Sequence, residues 1–180
     1  MNLLFVLPSE EHSNIVWEYR KDFIFRNENI DGSAGLQNAI NFNEWLNKNK
    51  QNRSEETVEQ NLVPATTYLV FDKDFSEHIL IGMIDIRHSL NTYLLKFGGN
   101  IGYSVKYEFR NKGYGKAMLE KALSKCKEYK MSKILLTCDK NNIASQKVIE
   151  YNNGVLENVI KDNGKEIKRY WIDILTCCGS

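Results

Sequence analysis

The chain has 180 residues, 42% hydrophobic and 26% charged, and its 24 basic and 23 acidic side chains leave a net charge of +1. That length and apolar content exclude a disordered chain and suit one domain over residues 1–180 with a sizeable core. No basic block alternates with aromatics and no apolar run approaches about 20 residues, so neither nucleic acid nor a membrane is an expected partner.

In chain order, MNLLFVLPSEEH lacks the basic start of a secretion signal and reads as a first strand closed by Pro8. Residues 11–29 read as a helix with Ile15, Tyr19, Phe23 and Arg26 near one face, and residues 38–50 as another carrying Ile40, Phe42 and Trp45. The polar QNRSEET is an expected exposed loop. Strands are expected at 66–71 and 79–86, joined by a turn around DKDFSE, and an irregular connection then runs from 87 to a tight turn at Gly98-Gly99. A strand from Ile101 feeds a helix over 115–129, whose Leu119, Ala122, Leu123 and Cys126 recur at helical spacing. An apolar strand at 134–138, the polar DKNNIAS and a helical SQKVIEYNN follow. Segments 155–160 and 167–174 flank Asp162-Asn163-Gly164, a hairpin signal. This order predicts a mixed α/β fold.

Cys126 and Cys138 fall on apolar stripes and read as small core residues. The adjacent Cys177 and Cys178 have no Cys-x-x-Cys or histidine companion, so no metal is expected, and a reduced, cytoplasmic protein fits. His12 and His78 read as surface residues, and Trp17, Trp45 and Trp171 as structural ones.

The most informative segment is RNKGYG (110–115), between a strand and an amphipathic helix. Glycines admit a ligand close to the backbone, and the first turn of a helix offers unpaired N–H groups at the positive end of its dipole. Such a junction favours phosphate. An ATP-type loop needs Lys followed by Ser or Thr, whereas Lys116 precedes Ala117 and the spacing between glycines is wrong. A dinucleotide fingerprint needs a third glycine, which Asp139 downstream cannot replace.

RNKGYG does fit Arg/Gln-x-x-Gly-x-Gly/Ala and resembles the pyrophosphate loop of the GCN5-related N-acetyltransferases (GNAT). The strand–loop–helix–strand–Asn–helix order around it is similar to that family's core, over about residues 65–173 and most specifically 99–155. IRHSLN and GGNIGYSV resemble segments of a bacterial branch of these acetyltransferases. The resemblance implies a central mixed, mostly antiparallel sheet flanked by helices, with acetyl-coenzyme A as cosubstrate and no metal. It implies that Tyr103, Ser104 and Val105 meet the acetyl and pantetheine units beside a splayed strand. Arg110, Asn111, Lys112, Gly113, Tyr114, Gly115 and Lys116 would hold pyrophosphate, with Asn142 and Ser145 also on the cofactor.

Acetyl transfer to an amine needs a neutral nucleophile. Deprotonating a lysine-like amine at pH 7 costs about 4–5 kcal/mol, so a base is expected. Many members of the family place a tyrosine acid where this chain has Ile149 and a carboxylate where it has Thr137. Tyr151 lies about 200° around the helix from Ile149 and reads as a packing residue. The candidates are therefore His88 as base, Asp85 as a buried base or solvent-facing strand residue, and Tyr103 as acid or core tyrosine. Arg87, His88 and Asn91 are the candidate substrate contacts. The expected function is N-acetylation of a small-molecule or peptide amine. The competing readings are a catalytically silent acyl-coenzyme A-binding module and a partner-binding domain, and a homodimer is left open.

Overall fold

The computed structural model describes residues 1–76 and 78–174; Cys177, Cys178 and the terminal Gly179-Ser180 lie outside the described residues. Strand β1 (Leu3–Val6) ends just before Pro8 and leads through a 3₁₀ turn into helix α1 (Ser13–Phe25). This helix buries Val16, Tyr19 and Phe23, spaced three and four apart. It ends short of the expected residue 29 because Asn27 takes a left-handed φ of 55°. The Asn27 N–H reaches the Ile24 carbonyl and the Glu28 N–H the Phe23 carbonyl, both at 3.0 Å, which satisfies the last carbonyls and turns the chain off the helix axis.

Helix α2 (Phe42–Gln51) starts later than residue 38 because Asn41 caps it, accepting the Glu44 N–H at 2.9 Å. Ile40, expected on the helix, is left exposed outside it. Trp45 is buried and donates its indole N–H to the Ser33 carbonyl at 2.7 Å, so it anchors the loop between the two helices.

Strands β2 (Ala65–Asp72), β3 (Gly82–Arg87) and β4 (Ile101–Val105) join β1 in an antiparallel sheet of order β1-β2-β3-β4. Helix α3 (Tyr114–Glu128) crosses to β5 (Lys133–Asp139), and α4 (Ile143–Tyr151) leads to the hairpin of β6 (Val155–Asp162) and β7 (Lys165–Asp173). Asn163 and Gly164 are both left-handed, as a two-residue hairpin turn requires. These strands form a second antiparallel sheet, β5-β7-β6.

Strand alternation sorts the core into two layers. Ile84 and Ile86 of β3 pack with Ile101, Ile134, Met118, Leu119 and Ala122 on the α3 side. Met83 and Leu69 face Tyr19, Phe23, Leu36 and Trp45 on the α1–α2 side. Each fully buried aliphatic side chain here contributes about 1.5–3 kcal/mol.

The expected mixed sheet is split. Asn100 joins its halves: its N–H donates to the Leu135 carbonyl at 2.7 Å and its side-chain oxygen accepts the Leu135 N–H at 2.9 Å. On its other side it exchanges two bonds with the Arg87 backbone, at 2.8 and 3.2 Å. Gly99 (φ +66°) lies so close to β5 that a Cβ would meet the Leu135 carbonyl oxygen at 2.6 Å. Among the described residues no ladder joins β4 to β5 beyond this point, so the two strands part.

Candidate active site

A cleft of about 580 Å³ opens where β4 and β5 diverge, at the N-terminal ends of α3 and α4. Its walls hold Tyr103, Ser104 and Val105 of β4, then Arg110, Asn111, Gly113, Gly115 and Lys116. Asn142, Ala144, Ser145, Lys147 and Val148 line it from α4 and its start.

Local geometry explains the loop. Asn111 (φ 60°) and Gly113 (φ 88°) are left-handed, which aims successive backbone groups to one side. Gly113 caps α3, whose first backbone bond runs from the Ala117 N–H to the Gly113 carbonyl at 3.1 Å. The N–H groups of Tyr114, Gly115 and Lys116 precede that bond and have no carbonyl partner within the helix; Lys116 and Lys147 line the cleft nearby, the Lys116 ammonium lying 4.1 Å from the centre of the Tyr151 ring. Gly115 has a second use: a Cβ there would lie 3.1 Å from Val148, so the glycine also lets α3 and α4 approach.

Three expected loop contacts turn elsewhere. Lys112 and Tyr114 do not line the cleft. The Tyr114 ring is buried against Phe109, and its hydroxyl donates to Asp72 at 3.0 Å. Arg110 lines the cleft but is engaged by the protein. It donates to the Val105 carbonyl at 2.9 Å and grips both carboxylate oxygens of Glu28, which holds the Glu28 carboxyl below the usual range. The guanidinium is therefore spent on Val105 and Glu28 within the protein.

Tyr103 and Ser145 meet across the gap, hydroxyl to hydroxyl at 3.0 Å. Burial pushes the Tyr103 phenol up to about 12, so it is a proton donor at neutral pH. The Ser104 hydroxyl, on the opposite face of β4, accepts from Tyr19 at 3.0 Å. Asn142 caps α4 through a bond from the Ser145 N–H at 3.0 Å, which orients both residues. Cys138 is near Ser145, but burial pushes its thiol up to about 11, so it is inert.

The other expected acceptor-side residues do not reach the cleft. His88 stacks on Tyr129 with ring centroids 4.3 Å apart and bonds Thr66 at 2.9 Å. Tyr129 caps the C-terminal end of α3, about 22 Å along that helix from the anion end. Burial lowers the His88 pKa, with Asp85 opposing. Asp85 is buried and accepts from Thr67 at 2.9 Å. Arg87 donates to the carbonyls of Gly98 and Gly99 at 2.8 and 3.1 Å and pairs with Asp85 at 3.4 Å. Asn91 donates to the Asn61 carbonyl and accepts the Leu94 N–H, capping the π-helical turn at Leu94–Gly98. Ile149 is fully buried, and Thr137 donates to the Phe97 carbonyl at 2.7 Å.

Sequence reasoning missed Phe23, Glu28, Asn29 and Asp31, which supply the remaining wall. Their segment contains IDGSAG, and Gly32 (φ +69°) is its fixed point: a Cβ would meet the Gly102 carbonyl oxygen at 2.2 Å. A glycine-rich polar run between two helices was the available signal.

The family model for the acetyltransferase (GNAT) family matches residues 36–154, about two-thirds of the chain. The chain belongs to the GNAT acetyltransferase family. Members are acyl-transferring enzymes, and the split between β4 and β5 is where this GNAT fold offers space. The fold is similar to that of a spermidine N-acetyltransferase SpeG chimera from Vibrio cholerae and hSSAT, at 16% identity and TM-score 0.66, covering 98% of each chain. It is similar to the microcin C7 self-immunity acetyltransferase MccE, solved with acetyl-CoA and AMP (14% identity, TM-score 0.67, 96% of this chain and 92% of that one). RimL, a ribosomal L7/L12 alpha-N-protein acetyltransferase solved with coenzyme A, shares 16% identity at TM-score 0.65, covering 96% and 94%. No curated protein sequence matches the chain. Among the described residues no group of three His, Cys, Asp or Glu side chains is placed to hold a metal, and no helix is long and apolar enough to cross a membrane.

Proposed function

We propose that this GNAT chain is an acetyl-coenzyme A-dependent N-acetyltransferase acting on a primary amine of a small molecule or peptide. The observation that carries the reading is the parting of β4 from β5 beyond Asn100, which opens a slot onto the anion-binding start of α3. MccE and RimL, of similar fold, were solved with acetyl-CoA and coenzyme A, which supports the same ligand here. The residues present fit it. The N–H groups of Tyr114, Gly115 and Lys116, with the Lys116 and Lys147 ammonium groups, would hold the pyrophosphate. Tyr103, Ser104 and Val105 wall the slot beside them. Bound acetyl-CoA supplies the activated acetyl group as a thioester.

The chain itself supplies position and proton handling. Holding amine and acyl carbon together is worth about 7–11 kcal/mol in well-oriented cases. The Tyr103 hydroxyl, kept protonated by burial and oriented by Ser145, is the proton donor on the slot wall for a departing thiolate. That thiol resembles cysteine, with a pKa of about 8.5, so the donor assists an already competent leaving group.

Thermal unfolding with acetyl-CoA and thiol release with a panel of primary amines test the reading together. At about 100 times the dissociation constant the ligand stabilises the fold by about 2.7 kcal/mol. No melting shift at millimolar ligand rejects the cofactor. A shift without thiol release from any amine rejects amine acetylation and leaves a silent binding module.

A further inference from the structure

Six titratable groups line the cleft: Glu28, Asp31, Tyr103, Arg110, Lys116 and Lys147. Arg110, Lys116 and Lys147 are donors with no acceptor lone pair to take up a proton. Tyr103 holds its own. Glu28 is committed to both nitrogens of Arg110, which makes its carboxylate a weak base. Asp31 differs. Among the described residues no side chain hydrogen-bonds or ion-pairs with its carboxylate, although it sits on the wall of the slot.

Its place is fixed by a chain of contacts. Gly32, next in sequence, lies against the Gly102–Tyr103 backbone of β4, so close that a Cβ would stand 2.6 Å from the Tyr103 Cα. Ser33 donates to the Ile30 carbonyl at 2.7 Å, and Trp45 holds the Ser33 carbonyl at 2.7 Å. Arg20 grips the carbonyls of Leu36 and Gln37, each at 3.0 Å. An unpaired carboxylate is thus held on a rigid turn against the strand that borders the slot.

Resting on the acetyltransferase reading, we infer that Asp31 accepts the proton the acceptor amine must lose, directly or through one water. In that step the acceptor ammonium gives one proton to the Asp31 carboxylate, and its nitrogen lone pair attacks the thioester carbonyl carbon. The C–N bond forms, the C–S bond breaks, and the sulfur leaves with the bonding pair. The Tyr103 hydroxyl protonates that sulfur and takes the nitrogen's second proton in its place, and Asp31 returns its proton to solvent. The products are an amide, coenzyme A thiol and one released proton.

The electrostatics agree with the geometry. Desolvation by the cleft walls raises the Asp31 carboxyl above its ordinary range, although the side chain stays open to water, and the Arg87 charge on β3 opposes this. A higher pKa makes a better base near neutrality. The Asp31 charge in turn helps raise Tyr103, so acid and base are pushed apart across the slot. Glu28 and Arg110 neutralise each other nearby, and Lys116 and Lys147 face the anion end from α3 and α4.

The test is steady-state thiol release against pH for wild type, Asp31→Asn and Asp31→Glu, with acetyl-CoA melting shifts alongside. Asp31→Asn should lower kcat about 10²-fold at pH 7 with the melting shift unchanged. The deficit should shrink as pH nears the amine's own pKa of about 10.4, where free amine forms unaided. Asp31→Glu should recover part of the rate. Wild-type kcat and pH slope in Asp31→Asn overturn the assignment, as does a rise in amine KM alone, which marks a binding role. The wild-type profile is a second readout should the variant misfold: a rate that climbs without a plateau up to the amine pKa also overturns it. A wild type without a melting shift, or with a shift and no turnover, fails the acetyltransferase reading instead and takes this inference with it.

Discussion

The two ends of α3 carry polar groups of the same kinds in opposite arrangements. At the C-terminal end, Tyr68 and Tyr129 bond each other at 2.8 Å, while His88 stacks on Tyr129 and bonds Thr66. Each polar group there closes on another protein group, and burial raises the Tyr68 hydroxyl and lowers His88. At the N-terminal end, backbone N–H groups, two lysines, a tyrosine–serine pair and an unpaired aspartate surround open space. A perturbed titratable group is therefore not enough to mark a site. What distinguishes the two ends is that the N-terminal one borders a cleft and that one of its perturbed groups, Asp31, spends no hydrogen bond on another side chain among the described residues.

The largest effect that would break this contrast is expected at Gly113. A β-branched residue cannot adopt its φ of 88° without strain, so Gly113→Val should cost about 1–3 kcal/mol of unliganded stability. It should also abolish the acetyl-CoA melting shift, because the loop amides would be re-aimed. Normal binding in that variant would place the phosphates away from the start of α3.

An intermediate effect, confined to stability, is expected at the other end. His88→Phe keeps a ring on Tyr129 but loses the Thr66 bond, a cost of about 0.5–1.5 kcal/mol at pH 7. Because the folded pKa of His88 is depressed, its contribution is complete above the unfolded value of about 6.5 and is lost as pH falls through the lower folded value. The variant should show a weaker acid-induced drop in melting temperature between pH 7 and pH 5 than wild type. Turnover should stay within about twofold; a loss on the scale expected of a general base, about 10²-fold, would return His88 to the chemistry.

The smallest effect is expected at Tyr151. Its side chain is exposed, and its ring lies under the Lys116 ammonium at 4.1 Å, a contact that phenylalanine preserves. Tyr151→Phe should change stability and turnover by less than about 0.5 kcal/mol, read from melting and steady-state rates. A large loss of turnover would show that the hydroxyl reaches the thioester.

The wall of the cleft formed by β4 and the start of α3 was legible because its signal is local: strand, left-handed glycine turn and helix start are consecutive residues. The opposite wall was not. Asp31 and Glu28 reach the cleft because Asn27 ends α1 early and Gly32 docks about 70 positions away in sequence, on Gly102. Neither contact leaves a periodic trace. His88 lies away from this cleft, a placement its parity foreshadows, since it continues the Ile84, Ile86 face of β3, which packs against α3. Among the described residues the seven strands and four helices were largely legible, with errors at helix ends where Asn27 and Asn41 override the apolar pattern.

The junction at Asn100 limits which residue types that position can hold. Aspartate would keep an acceptor for the Leu135 N–H but lose the donor to Arg87. Glutamine adds a methylene between sheets already at backbone contact. Leucine would strand a buried N–H at a cost of about 1–3 kcal/mol. One amide thus sets where two sheets stop being one, and the slot inherits its starting point from a side chain that never faces it. Drift at that position would show first as a change in slot width, with the fold still intact.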